Sequence, residues 1–319
     1  MKLTRRYALA AGIACVASPF AQAQERFPSK PIDVIVPWGP GGGADLLGRI
    51  LARWLETDLK VSAPVLNYAG ASGMIGLGKM TAAAADGYTV AILTGDSLMM
   101  AATGNPGFKM ADSVTLGVLV RQPSGIFAPV NSRFKSWQDV VTAVRAKPGS
   151  VSLAITGPNT ADDLTAQYLI SKQVSLGGVP YTKPGERYSA VMGGHVDLLY
   201  EQAGDVRSFL DSGQLRPLIF FAPKRLPPPF ANVPVSTEFG YEILLPQVRA
   251  VLAKAGTDPH RLHELGASIE RFTKSPEYLK FIEQQMALPD SFMEAKVAQT
   301  FLQSEFESSR KLLATYGAK

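Results

Sequence analysis

One cysteine in 319 residues, Cys15, leaves no pair to form a disulfide and no set of thiolates to hold a metal. Histidine is nearly as scarce, with only His195, His260 and His263. His260 and His263 stand three apart on a predicted helix. No carboxylate completes a set such as H-E-x-x-H, so they read as a surface pair, and no metal site is expected. His195 falls at a turn into a strand and reads as a structural, hydrogen-bonded group. There is no G-x-S-x-G elbow. A Ser–His–Asp triad assembled only in space stays open, with Ser72 and His195 as the residues to test. An exported hydrolase acting on a small carboxylate or ester is therefore the alternative function. Beyond the N-terminal segment no apolar run approaches the roughly 18 residues of a membrane span. No basic run, internal repeat or biased segment occurs.

The chain opens with a segment that reads as a cleaved signal peptide, residues 1–23. Lys2, Arg5 and Arg6 form a positive region, "YALAAGIACVASPF" a short apolar stretch, and Ala21 and Ala23 the small residues before a cut at Gln24. A signal anchor is the rival reading. "TRRYAL" weakly resembles a twin-arginine signal. "GIAC" has Gly12 where a lipobox needs an aliphatic residue. Without the segment the formal charge falls from +5 to +2, because it carries three cations and no acids. The basic balance therefore gives no support to nucleic-acid binding. Cys15 also leaves, which fits an oxidising compartment, the periplasm.

What remains alternates strand and helix signals. "IDVIVPW" reads as a strand, and "DLLGRILARWLETD" carries apolar residues at helical spacing. "APVLN" and "YTVAILTG" are strands around the small helix "GMIGLGKMTAAAA". "VTLGVLVRQPSGIFAPV" is strand-like in two pieces. The helix in "SWQDVVTAVRAKPG" takes Ser136 as cap. "VSLAITG", "GGVPY", "HVDLLYEQ" and "LRPLIFFA" are strands, with helices between. A proline-rich loop follows, and the chain is mostly helical from about Asp258. About nine strands with crossover helices imply α/β structure in two domains, each with a mainly parallel sheet.

The stretch "IVPWGPGGGADLLGRILARWL", Ile35 to Leu55, joins a strand to a helix through four glycines. A phosphate loop needs Gly-Lys-Ser/Thr at its end, and Ala44-Asp45 stands there instead. Gly39-x-Gly41-x-x-Ala44 formally fits a dinucleotide fingerprint, but the second strand ends at Asn67 rather than at an acid for the ribose. No cofactor is expected. Two readings stay open. The helix N-terminus could cradle a carboxylate on bare amides. Alternatively, the glycines only make a tight turn, with Asp45 as an N-terminal helix residue.

The sequence resembles the periplasmic substrate-binding receptors of tripartite tricarboxylate transporters, also called Bug receptors. Their opening pattern, "YPSKPIRxIVPFxPGGGxD", compares with "FPSKPIDVIVPWGPGGGAD" from Phe27 to Asp45. "ADGYTV" at 85–90, "KPGSVSLA" at 147–154, "VPYTKPG" at 179–185 and "GGHVDLL" at 193–199 follow in order. So do "NVPVSTEFGY" at 232–241, "AGTDP" at 255–259 and "SPEYLKF" at 275–281.

The resemblance implies a type II periplasmic-binding-protein fold, a Venus flytrap. Domain 1 would hold 24–121 plus 224–319 and domain 2 would hold 122–223, with "VTLGVLVRQPSG" and "RPLIFFAPK" as the crossings. It implies a monomeric receptor without chemistry of its own. A small organic acid would be held in the cleft by main-chain N–H groups, for a membrane permease or a sensor. One wall would be Trp38, Gly39, Pro40, Gly42, Gly43, Ala44 and Asp45. Ala71, Ser72 and Gly73 would stand at another helix start, and Thr94, Gly95 and Asp96 at a strand end. Domain 2 would add Thr156, Gly157, Asn159, Thr160, Ala161 and Asp162, then Tyr181 and Glu201.

Three departures bear on the ligand. Asp162-Asp163-Leu164 stands where the family often has Ser-His-Leu, and Glu201-Gln202 where it often has Asp-Asn. Either the aspartates serve the helix N-terminus, with Thr160 and Asp163 as a capping-box-like pair, or extra carboxylates in the cleft disfavour a di- or tricarboxylate. Trp38 replaces the usual Phe. It either stacks on a ligand or packs between the loop and the first helix.

Overall fold

The computed structural model describes residues 26–104 and 107–317. The expected signal peptide, 1–23, lies outside the described residues. In chain order the elements begin with β1 (Asp33–Val36), α1 (Gly43–Leu59), β2 (Val65–Asn67), α2 (Met74–Ala82), β3 (Thr89–Thr94), α3 (Gly95–Ala102) and β4 (Ser113–Gln122). Next come β5 (Ser124–Pro129), α4 (Trp137–Ala146), β6 (Ser152–Ile155), α5 (Ala161–Ser171), β7 (Gly177–Pro180), α6 (Pro184–Met192), β8 (Leu198–Gln202), α7 (Arg207–Asp211) and β9 (Leu215–Phe221). The chain finishes with β10 (Gln247–Lys254), α8 (Pro259–Thr273), α9 (Pro276–Gln284), β11 (Met293–Glu294) and α10 (Ala295–Tyr316).

These strands form two sheets, ordered β11-β4-β10-β3-β1-β2 and β7-β6-β8-β5-β9. Each contains three parallel strands from consecutive strand–helix units. Beside them runs one inserted antiparallel strand, β10 in the first sheet and β5 in the second. Most strands in each sheet point the same way, as the alternating pattern implied. The parallel strands are covered on both faces, so they read as continuous apolar runs. Val34 and Val36 enter one core of the first sheet and Ile35 the other. Leu153 and Ile155 likewise face away from Ala154 in the second.

Local signals account for the covering helices. In α1, Leu47, Leu51 and Leu55 recur every turn and are buried. Ser136 and Asp139 form a reciprocal capping box at α4, with bonds of 3.2 and 2.9 Å. Two elements go beyond the sequence reading. α3 starts directly from β3 because the Thr94 hydroxyl caps it, accepting the Ser97 N–H at 3.3 Å. β10 reads "QVRAVLAK", where Arg249 interrupts an apolar run.

Only Pro123 separates β4 of the first sheet from β5 of the second. On the way back, Tyr241 and Ile243 are still in the second sheet's core, with Phe239 and Leu245 against it. β10 then begins two residues later. α10 packs on β4 and α3, and its last residue, Tyr316, meets Tyr168 edge-on at 5.6 Å.

Candidate functional site

The C-terminal ends of β1 and β3 in one sheet and of β6 and β8 in the other enclose a small cavity of about 60 Å³. Open α/β sheets present ligands with strand ends and helix N-termini at such places. No side chain caps α1, and Gly43 and Ala44 of its first turn line the cavity. Asp45 stabilises this loop from behind. It accepts the Gly41 N–H at 3.1 Å, the Asn67 amide at 2.9 Å and the Arg49 guanidinium at 2.8 Å. Burial pushes the Asp45 carboxyl up, but those bonds outweigh it and hold the group below the usual range.

The glycines serve the opposing wall. A Cβ on Gly43 would lie 2.2 Å from Arg249 Nη2 and 2.3 Å from Asp205 Oδ1. One on Gly42 would lie 3.2 Å from Pro184 at the start of α6. Bare backbone is what lets elements of the two sheets meet here.

Two buried arginines stand in the walls. Arg187, on α6, reaches Glu201 of β8 at 2.5 Å, and both side chains are 7% exposed. Its other nitrogen donates to Thr156 Oγ1 and to the Tyr181 carbonyl. Glu201 also accepts the Tyr188 hydroxyl at 2.9 Å and the Gln202 N–H at 3.2 Å. Arg249, on β10, pairs with Asp205 from the second sheet's side and donates to Gln122 at 2.6 Å. Burial tends to discharge Arg187, but Glu201, Tyr188 and Asp162 more than restore it, so the guanidinium stays charged. Burial pushes the Asp205 carboxyl up to about 6, against the pull of Arg249. Arg187 Nε, Arg249 Nε and Asp205 Oδ1 are buried without a hydrogen-bond partner among the described residues.

Asp96 and Asp162 stand in the first turns of α3 and α5. Asp96, in the first turn of α3, accepts the Ala161 N–H of α5 at 3.2 Å and the Gln247 amide at 3.3 Å. Asp162 accepts the Thr156 N–H, the Asp163 N–H and the Thr160 hydroxyl. Burial, then the neighbouring Asp162 charge, pushes Asp96 up to about 7. Burial raises Asp162 too, against the pull of Arg187.

Of the residues expected at the site, Trp38, Gly42, Gly43, Ala44, Thr94, Gly95, Asp96, Thr156, Ala161, Asp162 and Glu201 line this cavity. The others stand off it. Pro40 is exposed, and Gly39 lies in the loop outside. Ala71 and Ser72 form a left-handed turn before α2, and Gly73 packs against Ser97. Gly157, Asn159 and Thr160 shape the turn behind Asp162. Tyr181 offers its carbonyl to Arg187, and its ring joins the second sheet's core. The Thr160–Asp163 capping pair does not form. The Thr160 hydroxyl donates to Gly157 O and Asp162, while Asp163 accepts the Asn159 N–H at 2.7 Å. Trp38 has two environments. It lines the cavity, and it also packs on the first core, with its indole N–H on Thr94 Oγ1 at 3.1 Å.

Beyond the residues expected at the site, the cavity is also lined by Ser124, Pro184, Arg187, Tyr188, Tyr200, Gln202, Asp205, Leu245, Pro246, Gln247 and Arg249. Arg249 had a signal, a lone cation inside an apolar run, which marks a buried pair. None of the three histidines lines the cavity, and all three are exposed. No Ser–His pair is assembled there.

The family model described as tripartite tricarboxylate transporter family receptor matches residues 48–317. BugT of Bordetella pertussis is 29% identical over 272 residues, covering 83% of this chain and 83% of BugT. A protein from the tcbD–tcbE intergenic region of Pseudomonas sp. strain P51 is 28% identical over 317 residues, covering 96% of this chain and 93% of its own. The solved structure of R. palustris Rpa4515 with adipate superposes with a TM-score of 0.83 at 23% identity. That match covers 91% of this chain and 98% of Rpa4515, and it establishes the shared fold.

Proposed function

The chain belongs to the tripartite tricarboxylate transporter receptor family, and on that premise we propose that its cavity captures one small organic acid and closes around it. It is a receptor component of a transport system rather than an enzyme. The observation that carries the ligand reading is the cavity itself, which is walled by strand ends and helix N-termini of both sheets. The uncapped amides of Gly43 and Ala44 at α1 receive the carboxylate oxygens, helped by the partial positive charge of the helix end. Each charge-assisted bond of this kind contributes roughly 1.5–3 kcal/mol before closure and desolvation costs. Micromolar binding, about −8 kcal/mol, needs only a few of them.

The two sheets then act as lobes. The second lobe runs from about residue 123 to 245, so the return crossing lies later than the 223/224 boundary read from the sequence. Tyr241 and Ile243 in the second core support this placement. Ligand touching both walls favours the closed form, which a membrane permease or a sensor reads in the periplasm. The receptor works as a monomer. A thermal-shift screen of aliphatic and aromatic acids tests the reading. A true ligand at 100 times its Kd adds about 2.7 kcal/mol of stability, and X-ray scattering shows a smaller radius. Failure of every acid to stabilise the protein overturns it.

A further inference from the structure

The charges around the cavity do not balance. Four carboxylates line it, from Asp96, Asp162, Glu201 and Asp205, against two guanidiniums, from Arg187 and Arg249. Each guanidinium is already ion-paired, Arg187 to Glu201 and Arg249 to Asp205, in pairs whose side chains are at most 7% exposed, with the Nε of each left without a hydrogen-bond partner among the described residues. Asp96 and Asp162 make no ion pair among the described residues, and the Arg187 charge reaches them only through space. The donors that reach them are neutral: the Ala161 N–H and Gln247 amide for Asp96, and two backbone N–H groups and a hydroxyl for Asp162. The N-terminus of α5 offers about half a positive charge, and two carboxylates share it. They come from opposite walls, α3 and α5, so whatever lies between them touches both sheets.

We propose that the missing cation belongs to the ligand: the cavity is built for a small amino acid or related zwitterion, whose ammonium sits between Asp96 and Asp162 while its carboxylate takes the α1 amides. This rests on the carboxylate-receptor reading above and narrows it. An ammonium carries three donors on a compact charge, and each Asp96 oxygen keeps a free lone pair after its single protein bond, with the Asp162 charge beside it. It would relieve their mutual repulsion and draw the two walls together. A dicarboxylate would instead add charge to an enclosed, poorly hydrated site already rich in anions. The raised affinity of Asp96 and Asp162 for a proton has the same origin. With no cation present, burial and mutual repulsion hold a proton on the pair near neutral pH. An incoming ammonium displaces it. The other groups bearing on the pair are the Arg187 guanidinium, the Tyr200 hydroxyl and the neutral Gln247 amide.

The test is calorimetry at pH 7 on the mature protein. The probes are acids of three to eight carbons, aliphatic and aromatic, each as the plain monoacid, the diacid and the amino acid. In the matched set that binds best, the amino acid is expected to bind at least tenfold tighter than its diacid and its monoacid. Its binding should release protons, read from the dependence on buffer ionisation enthalpy. Asp96→Asn should erase most of that preference, since an amide oxygen still accepts the Ala161 N–H but carries no charge. Asp162→Asn should do the same. If that variant fails to fold, Asp96→Asn alone decides. A diacid that binds as tightly as its amino acid overturns the inference and leaves the carboxylate receptor standing. So does a preference that survives in Asp96→Asn. Binding by none of the acids overturns both.

Discussion

The Asp96 carboxylate accepts a hydrogen bond from the Ala161 amide at 3.2 Å, joining the first turn of α3 on one sheet to the first turn of α5 on the other. An anion at a helix N-terminus is favourable, yet this one is enclosed beside Asp162, which pushes it up to about 7 from an ordinary 3.8. The folded protein therefore holds a proton there more tightly than the unfolded chain does. Stability from this group is full below about pH 4 and is lost as pH rises toward 7. The slope approaches about 1.4 kcal/mol per pH unit for one proton. Asp96 keeps part of its surface open to the cavity, so that figure is an upper limit. Asp96→Asn should flatten the fall of Tm between pH 4 and 7, followed by scanning calorimetry. An unchanged profile would place the titration elsewhere.

Gly43 and Gly39 share the loop but not its constraint. A methyl on Gly43 enters the space of the Arg249–Asp205 pair, whereas one on Gly39 meets nothing within 4 Å. The end of Arg249 can move aside, but only by leaving Asp205, its partner across the cavity. Gly43→Ala should weaken ligand binding at least tenfold, about 1.4 kcal/mol. Gly39→Ala should change it less than twofold. Titration of both variants with one ligand checks the pair.

Half of this site was legible because it follows from chain punctuation. The loops at 38–44, 94–96 and 156–162 stand where an apolar strand gives way to a helix, and such junctions collect at one edge of a parallel sheet. Legibility stops where a residue's role depends on what lies across the cavity. Arg187 sits in an evident helix, yet a guanidinium that pairs with Glu201 in the interior has the same composition as one in solvent. Arg249 and Gln247 belong to β10, which returns after the proline-rich excursion and inserts between β3 and β4. Nothing local announces that register. Tyr181 sits at an expected junction but is turned into the second sheet's core, a choice made by packing rather than by period.

Glu201 and Arg187 line the cavity from one sheet alone, on β8 and α6, so the loss of their pair should register directly as stability. Glu201→Ala removes the acceptor of both the guanidinium and the Tyr188 hydroxyl. That leaves a buried charge uncompensated, which costs about 3–5 kcal/mol. Urea denaturation should show this loss. The double variant Arg187→Met, Glu201→Leu should recover most of it, because apolar residues of similar volume carry no desolvation cost. A double variant as unstable as the single one would mean that packing, not charge, dominates.

Trp38 is the one tryptophan placed to report on the ligand. The protein has three. Trp54 is tied to the Ser268 carbonyl at 3.0 Å and packs against Phe272. Trp137 is 1% exposed and meets Tyr241 in the second core. Neither lines the cavity, whereas Trp38 does, with its indole N–H anchored on Thr94. A ligand that seats against this wall changes the surroundings of Trp38 alone. Trp38→Phe should therefore abolish the ligand-induced change in tryptophan emission while scattering still records closure. Phe keeps the apolar face and loses only the bond to Thr94, so affinity should fall no more than about fivefold, roughly 1 kcal/mol. An emission change that persists in Trp38→Phe would place the ligand near Trp54 or Trp137, away from the α1 amides.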